Sequence, residues 1–305
     1  MPTDRAGRVG VVLAILGAIS YGVTVVVGRD LAAAGFGPVT SLGFRFAVGA
    51  ALLAAVVRAR RVPLFVSQRV VVIGLGLGVL YAVESTMFFS ALERGTAAAV
   101  SLVFYVYPAV VTVIELLRGR ERPHRATFAA LGLSLCGTAI VVVGGGRVSI
   151  TSAGVVFALG AAATFAAYLL AGRELGRSID PMVMACWVSI GAALANLGRG
   201  AASGSLVSPS DRMAEFALYG VSTALAFTLM FAAMSRIGAS RVAVVMTLEA
   251  VASVVLAAVF LGESVNVSQA VGGAAVLAAA VVIARAHPAP VLLAAAGAPA
   301  DPDER

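Results

Sequence analysis

Apolar residues run along this chain in blocks of roughly twenty, separated by short polar or arginine-bearing breaks. A helix of about 20 residues is what the hydrocarbon core of a bilayer requires. The pattern predicts ten helices, over residues 9–28, 39–57, 70–91, 97–117, 126–144, 153–172, 181–198, 214–234, 240–261 and 267–285. The seventh is the weakest, because the polar stretch from Gly198 to Arg212 follows a short segment. A membrane β-barrel would show segments of about ten residues with alternating polarity, and a disordered chain would be poor in Leu, Ile, Val and Phe. The expected fold class is therefore an all-α polytopic membrane protein with ten transmembrane helices.

Composition agrees with the pattern. Of 305 residues, 60% are hydrophobic and 12% charged, against about 25% charged in a soluble domain. All 22 basic residues are arginine, and they sit mostly at span ends, which fits topology better than phosphate contact. No nucleic-acid partner is expected; the partners are the lipid bilayer and a small-molecule substrate. An even number of spans puts both termini on one side. That side holds sixteen arginines and the opposite side five, so the positive-inside rule makes the termini cytoplasmic. Residues 1–8 form a cytoplasmic N-terminus and 287–305 a disordered cytoplasmic tail rich in Ala and Pro. A cleaved signal peptide over 9–28 is disfavoured because that segment belongs to a repeat. Cys136 and Cys186 lack paired spacing and His124 and His287 lie away from any carboxylate cluster, so no metal, no cofactor and no enzyme chemistry are expected.

The two halves repeat. GVVLAILGAISYGVTVVVGRDL from Gly10 aligns without a gap on GVVFALGAAATFAAYLLAGREL from Gly154, 144 residues later. Ala91, Arg94, Ala97, Val100 and Glu121 align on Ala233, Arg236, Ala239, Val242 and Glu263 with a spacing of 142. Two five-helix units, 9–144 and 153–286, are thus joined by a loop over 145–152. Five is odd, so the second unit enters the membrane upside down. One unit folded in two orientations supplies two related conformations, which favours alternating access around a site near the midplane.

The runs MFFSALERGTAAAVSLVFYVYPAVV, GRERPHRATFAALGLSLCGTAIVVVG and FAAMSRIGASRVAVVMTLEAVASVVLAAVFLGESVNVSQAVGGAAVL resemble the paired repeats of the EamA-like branch of the drug/metabolite transporter superfamily. The most specific element is Leu261-Gly262-Glu263 with Gln269 and Gly272-Gly273; Arg120 and Ala250 depart from the pattern, where Gly and Pro would stand. The resemblance implies a ten-helix inner-membrane carrier whose central cavity is lined by the first four helices of each repeat. Family members typically export amino acids, other metabolites or toxic compounds.

A charge at the bilayer centre costs about 2.5–3.5 kcal/mol on insertion scales and needs an explanation. Helix rise puts Glu84 ~14 Å and Glu249 ~12 Å from the nearer surface, and Arg45 ~10 Å from its own. Glu84 and Glu249 are candidates for binding substrate or a coupling proton in a watered cavity; the alternative is a structural pair with Arg45. Arg45 is read as a structural ion pair or interfacial anchor, and Glu121 and Glu263 as structural charges at helix hairpins. Glu115 is read as an interfacial partner of Arg118 or Arg120. Pro108 interrupts the fourth span and is a candidate hinge. By the 142 spacing it stands opposite Ala250, and Tyr107 opposite Glu249. Tyr81, Phe88, Tyr105 and Tyr107 are candidate cavity linings, whereas Trp187 is read as packing. Gly74 and Gly78 form a GxxxG spacing compatible with helix contacts or a homodimer. A secondary carrier, an exporter of amino acids or related compounds, is the function expected; the competing classes are an intramembrane enzyme or lipid-handling protein, and a non-transporting sensor. No phosphate-binding GxxxxGK[ST] loop is present.

Overall fold

The computed structural model of the protein describes residues 2–119, 125–144, 148–176, 179–262 and 264–285. Its helices, in chain order, are α1 (Pro2–Ala33), α2 (Pro38–Ala59), α3 (Gln68–Leu92), α4 (Ala97–Phe104), α5 (Tyr107–Leu117), α6 (Arg125–Gly144), α7 (Ser152–Gly176), α8 (Pro181–Ser203), α9 (Met213–Ile237), α10 (Ala239–Met246), α11 (Leu248–Leu261) and α12 (Val267–Arg285). Among the described residues they make ten spans long and apolar enough to cross a membrane; the fourth is α4 with α5, and the ninth α10 with α11. Glu121, Glu263, Arg120, Arg147 and His124, together with the tail from 286, lie outside the described residues.

Local chemistry sets the starts. Ser67 accepts from the Val70 N–H at 3.3 Å, Thr96 from Ala99 at 3.3 Å and Asp180 from Met182 at 2.8 Å, satisfying helix donors that would otherwise be orphaned. Pro38 and Pro181 open α2 and α8, where a missing N–H costs nothing. The seventh span runs on to Ser203, past the expected end at 198. Its polar end has internal partners: the Arg199 guanidinium donates to Thr86 Oγ1 and to Asn196 Oδ1. Gly204, at φ +63°, then ends the helix in the left-handed region that favours glycine.

The packing carries the inverted symmetry. α2 lies on α8 and α6 on α12, each pair related to itself, while α1 on α9 is matched by α3 on α7. Glycine pairs show the relation most directly. Gly49 of α2 meets Gly220 of α9, and Gly78 of α3 meets Gly191 of α8; Gly49 and Gly191, like Gly78 and Gly220, are 142 residues apart. Gly137 and Gly272 face each other's carbonyls between α6 and α12. Missing side chains let backbones approach where lipid provides no hydrophobic drive between helices. The GxxxG spacing of Gly74 and Gly78 is therefore used inside the chain, against Trp187 and Val188, rather than offered to a second copy. At the end of the molecule remote from the termini, residues 93–96 and 148–151 are tied by bonds from Thr96 N–H to the Ser149 carbonyl (2.8 Å) and from Thr151 N–H to the Arg94 carbonyl (3.0 Å).

A β-carbon on Gly78 would fall against the Val188 carbonyl and the Ala192 N–H, whereas one on Gly76 meets nothing within 4 Å. Gly78→Val should lower stability by about 1–3 kcal/mol or more through overpacking, and Gly76→Ala should be neutral or stabilising by up to about 1 kcal/mol. Unfolding midpoints of the two variants in the same detergent check this.

Candidate functional site

The fourth and ninth spans break at equivalent places. α4 and α10 are both eight residues long, and their ends at Phe104 and Met246 are 142 residues apart. At the first break the Tyr105 N–H reaches the Ser101 carbonyl at 2.9 Å and the Val106 N–H the Val103 carbonyl at 3.3 Å. Pro108, in the first turn of α5, has no N–H to continue the ladder. The second break has no proline. Thr247 takes its place: its N–H turns to the Val244 carbonyl at 3.3 Å, and its hydroxyl donates to the same carbonyl at 2.7 Å. The break thus survives the Ala250 departure because a threonine side chain meets the carbonyl that the distorted backbone serves poorly. Glu249 stands in the first turn of α11, beside N–H groups whose dipoles favour negative charge.

Around these breaks the spans gather a charged and aromatic cluster. Glu84 of α3 is buried, 6% exposed, and accepts from the Ser85 hydroxyl at 3.1 Å. Glu249 is half-buried. Arg45 of α2, also 6% exposed, donates to Tyr219 at 3.3 Å and to Tyr81 at 3.5 Å, with its guanidinium 4.4 Å from the Phe46 ring centroid and 5.0 Å from that of Tyr219. Arg45 acts electrostatically on both carboxyls, and Glu249 on Glu84. Among the described residues no ion pair joins them. Arg45 is held by phenol hydroxyls and ring faces instead, so it is neither the ion pair nor the interfacial anchor expected of it. Three buried polar atoms of this cluster, Arg45 Nε, Tyr21 Oη and Tyr168 Oη, have no hydrogen-bond partner among the described residues.

The aromatic wall is continuous. Tyr81 packs on Phe46 (5.4 Å between centroids), Tyr168 (5.4 Å) and Phe227 (5.1 Å); Tyr107 packs on Phe165 (4.8 Å), which adjoins Phe104 (5.6 Å). Of the residues singled out in the sequence, Glu84, Glu249, Tyr81, Tyr105 and Tyr107 come together with Arg45. Phe88 does not. It belongs to a separate apolar cluster with Ala91, Val100 and Ala158 and touches the wall only through Phe104, at 5.1 Å. Trp187 packs on Gly74 and donates to the Leu64 carbonyl at 2.9 Å. Tyr21, Phe165, Tyr168, Tyr219 and Phe227 were not singled out in the sequence. The repeat alignment carried a signal for two of them, since Tyr21 and Phe165 occupy equivalent positions.

The two repeats are not packed alike across this site. α5 packs on α10, and the Tyr107 hydroxyl donates to the Ala243 carbonyl at 3.3 Å. Among the described residues α4 and α11, their equivalents at the other end, make no comparable contact, although α11 lies along α1 as α5 lies along α7. Nearly all of α10 is buried, while of α4 only Ala99 and Val100 are.

A second buried charge cluster lies towards the end where the termini are. Glu115 of α5, 1% exposed, forms an ion pair with Arg173 of α7. This corrects the expected interfacial pairing within its own loop: Arg118 faces Glu174 at 3.8 Å, and Glu115 turns inward to join the two repeats.

The EamA-like transporter family model matches residues 8–143 and again 152–285. The chain therefore belongs to the EamA-like transporter family, within the drug/metabolite transporter superfamily, and is a membrane transporter of that type. No curated protein matches it in sequence. Among solved structures 29 chains match. One, a crystal structure described only as that of a protein, superposes with a TM-score of 0.72 over 90% of this chain and 96% of its own, at 22% identity. That likeness concerns the fold.

Removing one partner of a buried ion pair strands the other charge. Arg173→Leu should destabilise by about 3–5 kcal/mol, and the double change Glu115→Leu/Arg173→Leu should recover most of that loss. Thermal unfolding of the three proteins in detergent checks the coupling.

Proposed function

We propose that this protein is a secondary exporter of small metabolites, amino acids or related compounds, in the inner (plasma) membrane. It works by alternating access at the central cluster, with both termini cytoplasmic. The observation that carries the reading is the meeting of one carboxyl from each repeat, Glu84 and Glu249, with Arg45 at two interrupted helices, all without direct ion pairing. Discontinuous helices at the midplane of an inverted repeat are where carriers bind charged cargo. A cargo with an ammonium and a carboxylate finds both countercharges here, and the unmet hydrogen-bonding capacity of Tyr21, Tyr168 and Arg45 Nε supports a polar ligand. The aromatic wall supports an apolar portion. Either carboxyl can also take the coupling proton, because burial raises the cost of its charged form and proton or cargo binding relieves it. The excess of arginine on the side of the termini supports their cytoplasmic placement.

The test begins with cells overproducing the protein and an empty-vector control, both loaded with amino acids. A class of solute should leave the cells and accumulate in the medium, and the same solute should leave proteoliposomes. Glu84→Gln should reduce that flux at least tenfold or abolish its pH dependence while the protein stays folded in the membrane. Wild-type flux and pH response in the variant would remove Glu84 from the mechanism. Ligand binding without any solute movement would favour a sensor.

A further inference from the structure

The symmetry of the breaks makes Tyr107 and Glu249 equivalent, and likewise Ala243 and Ser101, each pair 142 residues apart. In the present conformation Tyr107 donates to the Ala243 carbonyl and ties α5 to α10, closing the half of the molecule towards the termini. That carbonyl is accessible because the Thr247 N–H turns to Val244 instead. In the other repeat the Tyr105 N–H holds the Ser101 carbonyl, and α11 stays away from α4. The two breaks are therefore in different states, one engaged across the repeats and one not.

We infer that Glu249 is the gating residue of the opposite half, and that this half closes only when Glu249 is protonated. The inference rests on the alternating-access reading above. In the second conformation that inverted repeats permit, α11 closes on α4 as α5 now closes on α10. Glu249 then takes the place of Tyr107, and its side chain meets the Ser101 carbonyl. A carbonyl oxygen only accepts. A phenol donates to it throughout the physiological pH range, but a carboxyl does so only as the neutral acid. The carboxylate would set oxygen against oxygen in a desolvated contact. One gate is thus indifferent to protons and the other requires one, although both come from the same structural unit.

The titratable and charged groups close enough to interact electrostatically with Glu249 are Tyr21 from α1, Arg45 from α2, Tyr81 and Glu84 from α3, and Tyr105 and Tyr107 from the fourth span. α6 and α12, which also pack on α11, carry no carboxylate, histidine or tyrosine, and arginine only at Arg125 and Arg285 at their ends. Glu249 is the carboxyl whose position the symmetry assigns to the gate.

The experiment needs no cargo. In full-length protein with Cys136 and Cys186 replaced by alanine, nitroxide labels are placed on cysteines at Ala97 and Val259, exposed positions at the remote ends of α4 and α11. Their separation is read by pulsed electron resonance in liposomes at pH 8 and pH 5. Acidification should raise the short-distance population about fivefold or more, the worth of one hydrogen bond. Glu249→Gln, whose amide donates at any pH, should show that population at both pH values. Ser101→Ala should keep the pH response, because the acceptor is the main chain. Tyr107→Phe, which weakens the opposing gate, should raise the short population about fivefold at each pH, and it keeps the test decisive if Glu249→Gln does not fold. A wild-type pH response retained in Glu249→Gln, its loss in Ser101→Ala, or distances indifferent to pH and to Tyr107→Phe would each overturn the inference. Solute export with a Glu249-independent distance would sink the gate alone; the stated distance changes without export would sink the export reading alone.

Discussion

Hydrocarbon donates and accepts no hydrogen bonds, so a chain that crosses it must satisfy its own backbone, and any interruption has to be sheltered by protein or water. The fourth and ninth spans both break helical continuity part-way along, and the charged and aromatic cluster gathers around those breaks. The breaks are met by three-residue backbone bonds, by the Thr247 hydroxyl and by the encircling spans. Removing that shelter would leave carbonyls facing lipid at several kcal/mol each. The charged groups collect in the same place for the same reason: an environment polar enough for a broken helix is also polar enough for Glu84, Glu249 and Arg45.

The frame that holds this site is built from absence of side chain. Gly49 against Gly220, Gly78 against Gly191 and Gly137 against Gly272 bring helices into backbone contact, and dispersion and close packing then do what the hydrophobic effect cannot do between helices in lipid. Two of these contacts are copies of one another under the inverted repeat. Duplicated packing fixes the outer helices symmetrically, and it leaves the two broken spans free to differ. The difference is visible where α5 reaches across to α10, while α11 makes no comparable contact with α4 among the described residues.

Charge is distributed less symmetrically than shape. Glu115 and Arg173 form a buried bridge between repeats on the side of the termini, and the equivalent of Glu115 is Ala257. Tyr107 and Glu249 likewise present a phenol and a carboxyl at one structural position. The two positions thus share a backbone geometry and differ in side-chain chemistry.

Much of this was legible in the sequence, for reasons of period and length. Twenty-residue apolar blocks dictate membrane helices because the bilayer thickness does, and ten spans in two five-span repeats follow from counting and self-alignment. The break at Pro108 follows from its missing N–H. Other features depended on which faces meet. Nothing local distinguishes Glu115 as a partner of Arg173, 58 residues away, from a partner of its neighbour Arg118. The break at Thr247 carries no proline to announce it, and Phe88, one turn from Glu84, was drawn by packing into a different cluster. The tyrosines holding Arg45 come from α3 and α9. Pattern along one chain records the solvent each helix crosses, whereas partners across helices are chosen by packing in three dimensions, and only the tertiary structure decides those.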